Sequence, residues 1–208
     1  MLELMGASIN AVEDQVTMGL DRSAGALLLA RSDAPGAAAA QEIEAIRAAY
    51  EANGATEAFH TDDQAEGEAF MAPRRATFDA MQRLGTLLLE DAGCRYHGCR
   101  PACTGSVRSR KGARSTLCSS RMPATEKAQP TIAHPPGDLA AAECARLAFG
   151  DIMALALSLG GTITGEHGVG RLKAPWLTAQ LGSEAMALTW QIKDALDPDG
   201  ILNPGAVI

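Results

Sequence analysis

From Leu2 to Val16 the apolar residues Leu4, Ile9, Val12 and Val16 keep a helical period, which predicts a short amphipathic helix. Gly25–Ala30 is a compact apolar run bounded by glycine and by Ser32-Asp33, the pattern of a buried strand, and Pro35-Gly36 supply the turn that follows. Between Ala37 and Asn53, Ile43, Ile46 and Tyr50 share one face of a second helix, which Asn53-Gly54 would stop. Ala55–His60 reads as a weakly apolar strand. A long helical stretch is expected from about Asp63 to Glu90, broken or kinked at Pro73. Leu139–Leu159 is strongly periodic, with Ala142, Leu147, Ile152, Leu155 and Leu159 in phase, and Gly160-Gly161 close it. The short β-branched run Thr162–Thr164 follows. A last helix over Ser183–Leu196 is stopped by Asp197-Pro198-Asp199-Gly200. Two strand–helix units of this kind predict an α+β layer, with helices on one face of a sheet.

Composition narrows the class. A chain of 208 residues makes one domain or a domain and a half, and 47% apolar with 21% charged residues are globular values that exclude a wholly disordered chain. Aromatics make up only 4%, so the core has to be built mainly from aliphatic side chains. No apolar run approaches the roughly 20 residues of a membrane span, and Met1–Met5 lack the basic start of a signal peptide. These readings predict a cytoplasmic chain.

The net charge of −7 is unevenly spread. Ala92 to Thr125 holds seven of the 18 basic residues, four of the five cysteines and none of the 25 acids. Charge asymmetry of this kind often marks a nucleic-acid-binding tail, but here it falls in mid-chain.

Chemistry concentrates in Gly160-Gly161-Thr162-Ile163-Thr164-Gly165-Glu166-His167-Gly168-Val169-Gly170. Glycines on both sides let the backbone approach another group closely while Glu166 and His167 are presented. A histidine beside a carboxylate serves as a general base or a metal ligand near neutral pH; the bland alternative is a simple turn. A dinucleotide loop fits poorly, because the glycine spacing is G-x-x-G-x-G and Pro175 compromises the helix that should follow. His60 and His134 show no partner pattern, Met81, Met153 and Met186 fall at apolar helical positions, and Cys144 reads as a small core residue.

That glycine-rich run, with Lys193-Asp194 and Asp197-Pro198-Asp199-Gly200-Ile201-Leu202-Asn203-Pro204-Gly205, resembles the C-terminal domain of the FAD-linked oxidases, the family of the glycolate oxidase flavoprotein subunit, D-lactate dehydrogenase and D-2-hydroxyglutarate dehydrogenase. Leu2–Met5, Leu27-Leu28-Leu29 and Phe70-Met71-Ala72-Pro73-Arg74-Arg75 agree more loosely, and the resemblance covers residues 1–91 and 128–208. It implies a ferredoxin-like α+β cap, an antiparallel sheet backed by helices over the substrate side of a flavin. By the same resemblance His167 takes the proton of a 2-hydroxy acid, Glu166 helps bind a divalent metal such as Zn or Mn, Arg74 grips the substrate carboxylate, and Asn203 lies near the flavin. The cofactor would be FAD, bound mainly by an FAD domain or flavoprotein subunit as partner. That FAD domain is expected to be absent from this chain, which alone would bind no FAD; no nucleic acid is expected as a partner, and no membrane span is expected.

The family also carries a His-Ala-Gly-Asp-Gly-Asn-x-His-Pro motif before Gly-Glu-His-Gly. Here Met122–Ile132 stands in its place, with Gln129 where the second histidine belongs. Acid-free Arg-, Ser- and Cys-rich sequence is what a high-GC gene yields in a wrong frame. Joining each codon's third base to the next codon's first two lets Arg121–Glu126 read His-Ala-Gly-Asp-Gly. A compensated frameshift entered near Ala92 and left near Glu126 is therefore expected, making 92–127 aberrant or disordered and costing the sheet a central strand. The rival reading takes Cys94, His97, Cys99 and Cys103 as a zinc knuckle for nucleic acid, although the C-x2-H-x-C-x3-C spacing lacks two separated ligand pairs.

Overall fold

The computed structural model describes residues 2–5, 7–93, 116–122 and 127–206. Its elements in chain order are β1 (Leu2–Met5), α1 (Ala7–Val16), β2 (Ala26–Leu29), α2 (Ala37–Ala52), α3 (Gln64–Phe70), α4 (Ala72–Gln82), β3 (Thr86–Leu89), β4 (Ala92–Gly93), β5 (Thr116–Met122), β6 (Lys127–His134), α5 (Leu139–Ser158) and α6 (Ala174–Leu196). One sheet runs β2-β1-β5-β6-β3, with β4 also on β6, and every ladder is antiparallel. This is the α+β architecture expected, an antiparallel sheet backed by helices.

Helices cover both faces rather than one. Directly paired residues point to the same side of a sheet and successive residues alternate. The register Leu4↔Ser120 and Ser120↔Gln129 therefore puts Leu4 and Gln129 on one face, while Ile132, opposite Leu88, falls on the other. Leu4 packs with Ile9 and Val12 of α1 and Ala80 of α4. Ile132 packs with Ala145, Phe149, Ile152 and Met153 of α5 and Leu177 of α6. Phe149 meets the Trp176 ring edge-on at 5.7 Å, tying α5 to α6.

Several local expectations change. Leu2–Met5 pairs with strands on both sides and is not the first turn of α1. Gly25–Ala30 does contain a strand, but β2 is the sheet's edge and only half-buried. Ala55–His60 forms no strand. The long helix divides at Met71 as Pro73 suggested, yet it ends at Gln82: Gly85 takes φ +144°, and a Cβ there would lie 2.3 Å from the His134 carbonyl oxygen, so the chain turns into β3. On α5 the buried stripe is small, Ala141, Ala145, Ala148 and Ala156 around Phe149, Ile152 and Met153, which brings the helix close to the sheet and leaves Leu147 on the exposed side. Pro175 opens α6 from its first turn instead of compromising it, and Gly182 (φ 81°) interrupts that helix before the segment predicted from Ser183.

The central strand is not missing. Thr116–Met122 forms β5 between β1 and β6, and Ala92 is buried in the core cluster. Most of the cysteine-rich segment, including Cys94, His97, Cys99 and Cys103, lies outside the described residues. Met81 and Met153 are core residues and Cys144 is half-buried. Among the described residues no helix is long and apolar enough to cross a membrane.

Candidate functional site

The site is assembled where the end of α5 crosses β4. Gly160 and Gly161 donate back to Leu157 and Ala156 at 3.0 and 2.9 Å, and Thr162 then exchanges backbone hydrogen bonds with Gly93. A Cβ on Gly161 would lie 2.1 Å from the Gly93 carbonyl oxygen, so this glycine is required by the crossing itself. Ile163 is buried in the core, and its N–H donates to Gln180 Oε1 at 2.7 Å. From this anchored point the exposed turn Gly165-Glu166-His167 swings over Asp91.

Asp91 sits in a two-residue break between β3 and β4. The pairing with β6 keeps one register on both sides of the break (Leu89↔Thr131, Ala92↔Ala128), so Asp91 falls opposite Gln129. Glu90 still donates to Pro130 O at 3.3 Å, but Pro130 has no N–H to return, which opens the ladder there. The Asp91 side chain is fully buried. Its Oδ2 accepts the backbone N–H of Gly165 (2.7 Å), Glu166 and His167 (3.1 Å), and its Oδ1 accepts the Thr164 hydroxyl at 3.3 Å.

Lys173, equally buried, completes the arrangement. Its Nζ donates to Asp91 Oδ1 at 2.6 Å and to the Asp91 carbonyl at 2.8 Å, and lies 3.0 Å from Glu90 Oε2. Burial alone would raise the Asp91 carboxyl. The Lys173 ammonium and the N–H groups of Glu166 and His167 outweigh burial and hold it well below the usual carboxylate range. Neither Asp91 nor Lys173 was singled out in the sequence. A lone lysine inside Leu172-Lys173-Ala174-Pro175-Trp176-Leu177 is the one signal that pointed to a buried, paired charge.

The predicted pair is presented together. His167 Nδ1 is 4.0 Å from Asp91 Oδ1, with the imidazole one-third exposed. Glu166 Oε1 accepts from Gln129 Nε2 at 3.0 Å. Ligand atoms of Glu90, Asp91 and His167 come within 4.8 Å of one another. The Lys173 ammonium already lies between the two carboxylates, and the Asp91 oxygens are taken up by backbone and side-chain donors. A divalent ion would have to displace a buried cation, so these residues do not fit a metal. At Glu166 the described neighbour is an amide that donates to it, where a metal calls for a second imidazole.

Arg74 and Asn203 stand further off. Arg74 is exposed on α4 and makes no hydrogen bond or ion pair among the described residues, whereas Arg75 is held by Glu68 at 2.9 Å. Phe78 and Gln82 line an open groove of about 480 Å³ with Gly85, Thr86, Leu87 and Leu89. Arg74 precedes Phe78 by one helical turn and shares its side of α4. Asn203 has left-handed backbone (φ 49°) in an exposed turn. Arg171, at the end of the glycine-rich loop, donates to Pro204 O at 2.9 Å and draws that turn to the site's side. The turn is fixed from within by Asp197, which accepts from Ile201 and Leu202 N–H and from Lys193 Nζ.

The pattern described as FAD linked oxidases, C-terminal domain, matches residues 1–207. The chain belongs to that family. It is 32% identical to the glycolate oxidase subunit GlcD of Bacillus subtilis (strain 168) over 199 residues, 93% of this chain and 42% of that protein. The GlcD subunit of Escherichia coli (strain K12) is 31% identical over 209 residues, 98% of this chain and 41% of that subunit. A shorter stretch of 53 residues is 53% identical to the mitochondrial D-lactate dehydrogenase [cytochrome] of Arabidopsis thaliana, covering 26% of this chain and 9% of that enzyme. The chain thus spans about two fifths of the length of the two GlcD subunits.

Proposed function

We propose that this chain is the substrate-side domain of an FAD-dependent dehydrogenase that oxidises a glycolate- or D-lactate-like 2-hydroxy acid to the 2-oxo acid. One observation carries the reading: a Glu–His pair on an exposed turn whose three consecutive N–H groups are bound to one buried carboxylate. A general base needs this fixed placement, because proximity and orientation account for much of the rate. FAD, when bound, supplies the hydride acceptor. His167 removes the substrate hydroxyl proton. Arg74, which has no ion pair or hydrogen bond among the described residues, receives the carboxylate as a fork of donors. Asn203, on the turn tied to Arg171, faces the flavin side. Glu166 stays hydrogen-bonded to Gln129 and orients the turn, with no metal in the sequence of steps.

The chain alone, and the chain mixed with a flavin-bearing domain of a glycolate oxidase subunit, are to be assayed for dye reduction with glycolate and D-lactate. Activity is expected only in the mixture and is lost in His167→Gln. Flavin absorbance with turnover in the isolated chain, or full activity of His167→Gln, overturns the reading. The frameshift between Ala92 and Glu126 belongs to the same proposal, and a nucleotide sequence across codons 90 to 128 that confirms one frame throughout sinks it. A non-catalytic module that docks on a flavoprotein is a second reading, favoured by Leu188, Ile192, Leu196 and Ile201, all more than half exposed. It predicts co-purification with a flavoprotein that His167→Gln leaves unchanged.

A further inference from the structure

We propose that Asp91 is the positioning residue of the Glu166–His167 pair, its carboxylate acting through the backbone of the turn while the buried Lys173 ammonium keeps that carboxylate in place. The proposal rests on the functional reading above only in giving Glu166 and His167 a task; the positioning itself stands on geometry.

Gln129 donates to the Glu166 side chain, while the backbone of the turn is bound from beneath. Gly165, Glu166, His167 and Gly168 are all exposed, and a Cβ built on Gly168 or Gly170 would meet nothing within 4 Å. Among the described residues no packing from the outer side therefore holds the backbone. From beneath, three successive N–H groups converge on Asp91 Oδ2, and the Thr164 hydroxyl approaches Oδ1. Three parallel N–H groups make a small anion-binding concavity, and Asp91 fills it with an internal anion. The carboxylate stays ionised there because Lys173 pairs with it from the opposite side, with both side chains out of contact with water. Lys173 also binds the Asp91 carbonyl, so that one ammonium fixes the backbone as well as the charge of residue 91. The 4.0 Å separation of Asp91 Oδ1 from His167 Nδ1 places the same carboxylate beside the imidazole.

The test is read from backbone amides and needs no flavin. In the wild-type chain the amide protons of Gly165, Glu166 and His167 are expected downfield and slow to exchange, although the turn is exposed. Asp91→Asn keeps the shape and one acceptor oxygen but removes the charge; these three amides should move upfield and exchange about tenfold faster, the gap between charged and neutral acceptors. Met153→Ala, which opens a cavity in the α5 core, is the control for general destabilisation and should leave the three shifts in place. The inference is overturned if the wild-type amides exchange like other exposed loop amides, if Asp91→Asn leaves them unchanged, or if Met153→Ala moves them equally. The wild-type measurement decides even where Asp91→Asn fails to fold. A positive result beside a fully active His167→Gln enzyme would retain the positioning and reject the catalytic reading.

Discussion

Replacing Lys173 by methionine tests how much of the fold depends on one buried ion pair. Methionine keeps most of the apolar stem and deletes the ammonium, so three contacts vanish: 2.6 Å to Asp91 Oδ1, 2.8 Å to Asp91 O and 3.0 Å to Glu90 Oε2. Asp91 is then a buried anion without its counter-ion. Breaking such a pair from one side costs about 3–5 kcal/mol. The backbone N–H donors on Oδ2 remain, which puts the expected loss near the lower end, about 3 kcal/mol. With a urea slope of about 2 kcal/mol per molar, the unfolding midpoint should fall by about 1.5 M. Urea titration followed by far-UV circular dichroism measures it. The double variant Lys173→Met/Asp91→Asn carries no buried charge and should recover a good part of the loss. A single variant within about 1 kcal/mol of the wild type would refute the claim that this pair is desolvated and mutually dependent.

Gly161→Ala drives a Cβ to 2.1 Å from the Gly93 carbonyl oxygen and 2.9 Å from that of Ala156, both backbone, and should destabilise by about 3 kcal/mol in thermal melts. Gly168→Ala meets open space and bears only the left-handed strain of φ +79°, about 1 kcal/mol, so equal losses at the two glycines would contradict this account. Phe149→Ala empties a fully buried site and removes the edge-on contact with Trp176; a loss of about 3–5 kcal/mol with a red-shifted Trp176 emission is expected, and an unshifted spectrum speaks against the packing. Asp197 is held below the usual carboxylate range by Lys193 and by the N–H groups of Leu202 and Ile201. Its contribution is therefore complete above about pH 4 and is lost as pH falls through its lowered folded value. Asp197→Asn should flatten the acid limb of the stability curve, and an unchanged limb would show that the Asp197 contacts do not stabilise the folded chain.

Periodicity disclosed α2, α5 and the second half of α6, but only in α5 does burial against the sheet account for the repeat: α2 has no buried residue, and Leu188, Ile192 and Leu196 of α6 are more than half exposed. It failed at β1 and β3, four-residue runs too short to establish a period of their own. There the deciding facts are tertiary: partners on both edges for Leu2–Met5, and a carbonyl packed against Gly85 that only glycine accommodates. The Glu–His pair was legible because glycines bracket it. Asp91 and Lys173 were not, since a side chain that binds backbone N–H groups 74 to 76 residues away leaves no pattern of residue types behind.

The same device recurs, and the repetition separates structural from functional use. Glu13, nearly buried at the end of α1, accepts the N–H groups of Met18, Gly19 and Leu20 at 3.0–3.1 Å. Asp197 accepts those of Ile201 and Leu202 beyond α6, and Asp91 those of Gly165, Glu166 and His167. In each case burial opposes the charged form and donors from the protein restore it, so a loop without a core of its own is fixed by a single carboxylate. Glu13 and Asp197 fix loops that directly follow their own helices, a local task. Asp91 binds from the sheet a loop 74 to 76 residues further along the chain that carries two titratable side chains, and it alone of the three requires a fully buried lysine to do so. A long-range buried ion pair is a costly way to hold a turn that a nearer residue could hold. Under the proposed function that expense is reasonable, because the turn would have to present Glu166 and His167 in one orientation toward the substrate.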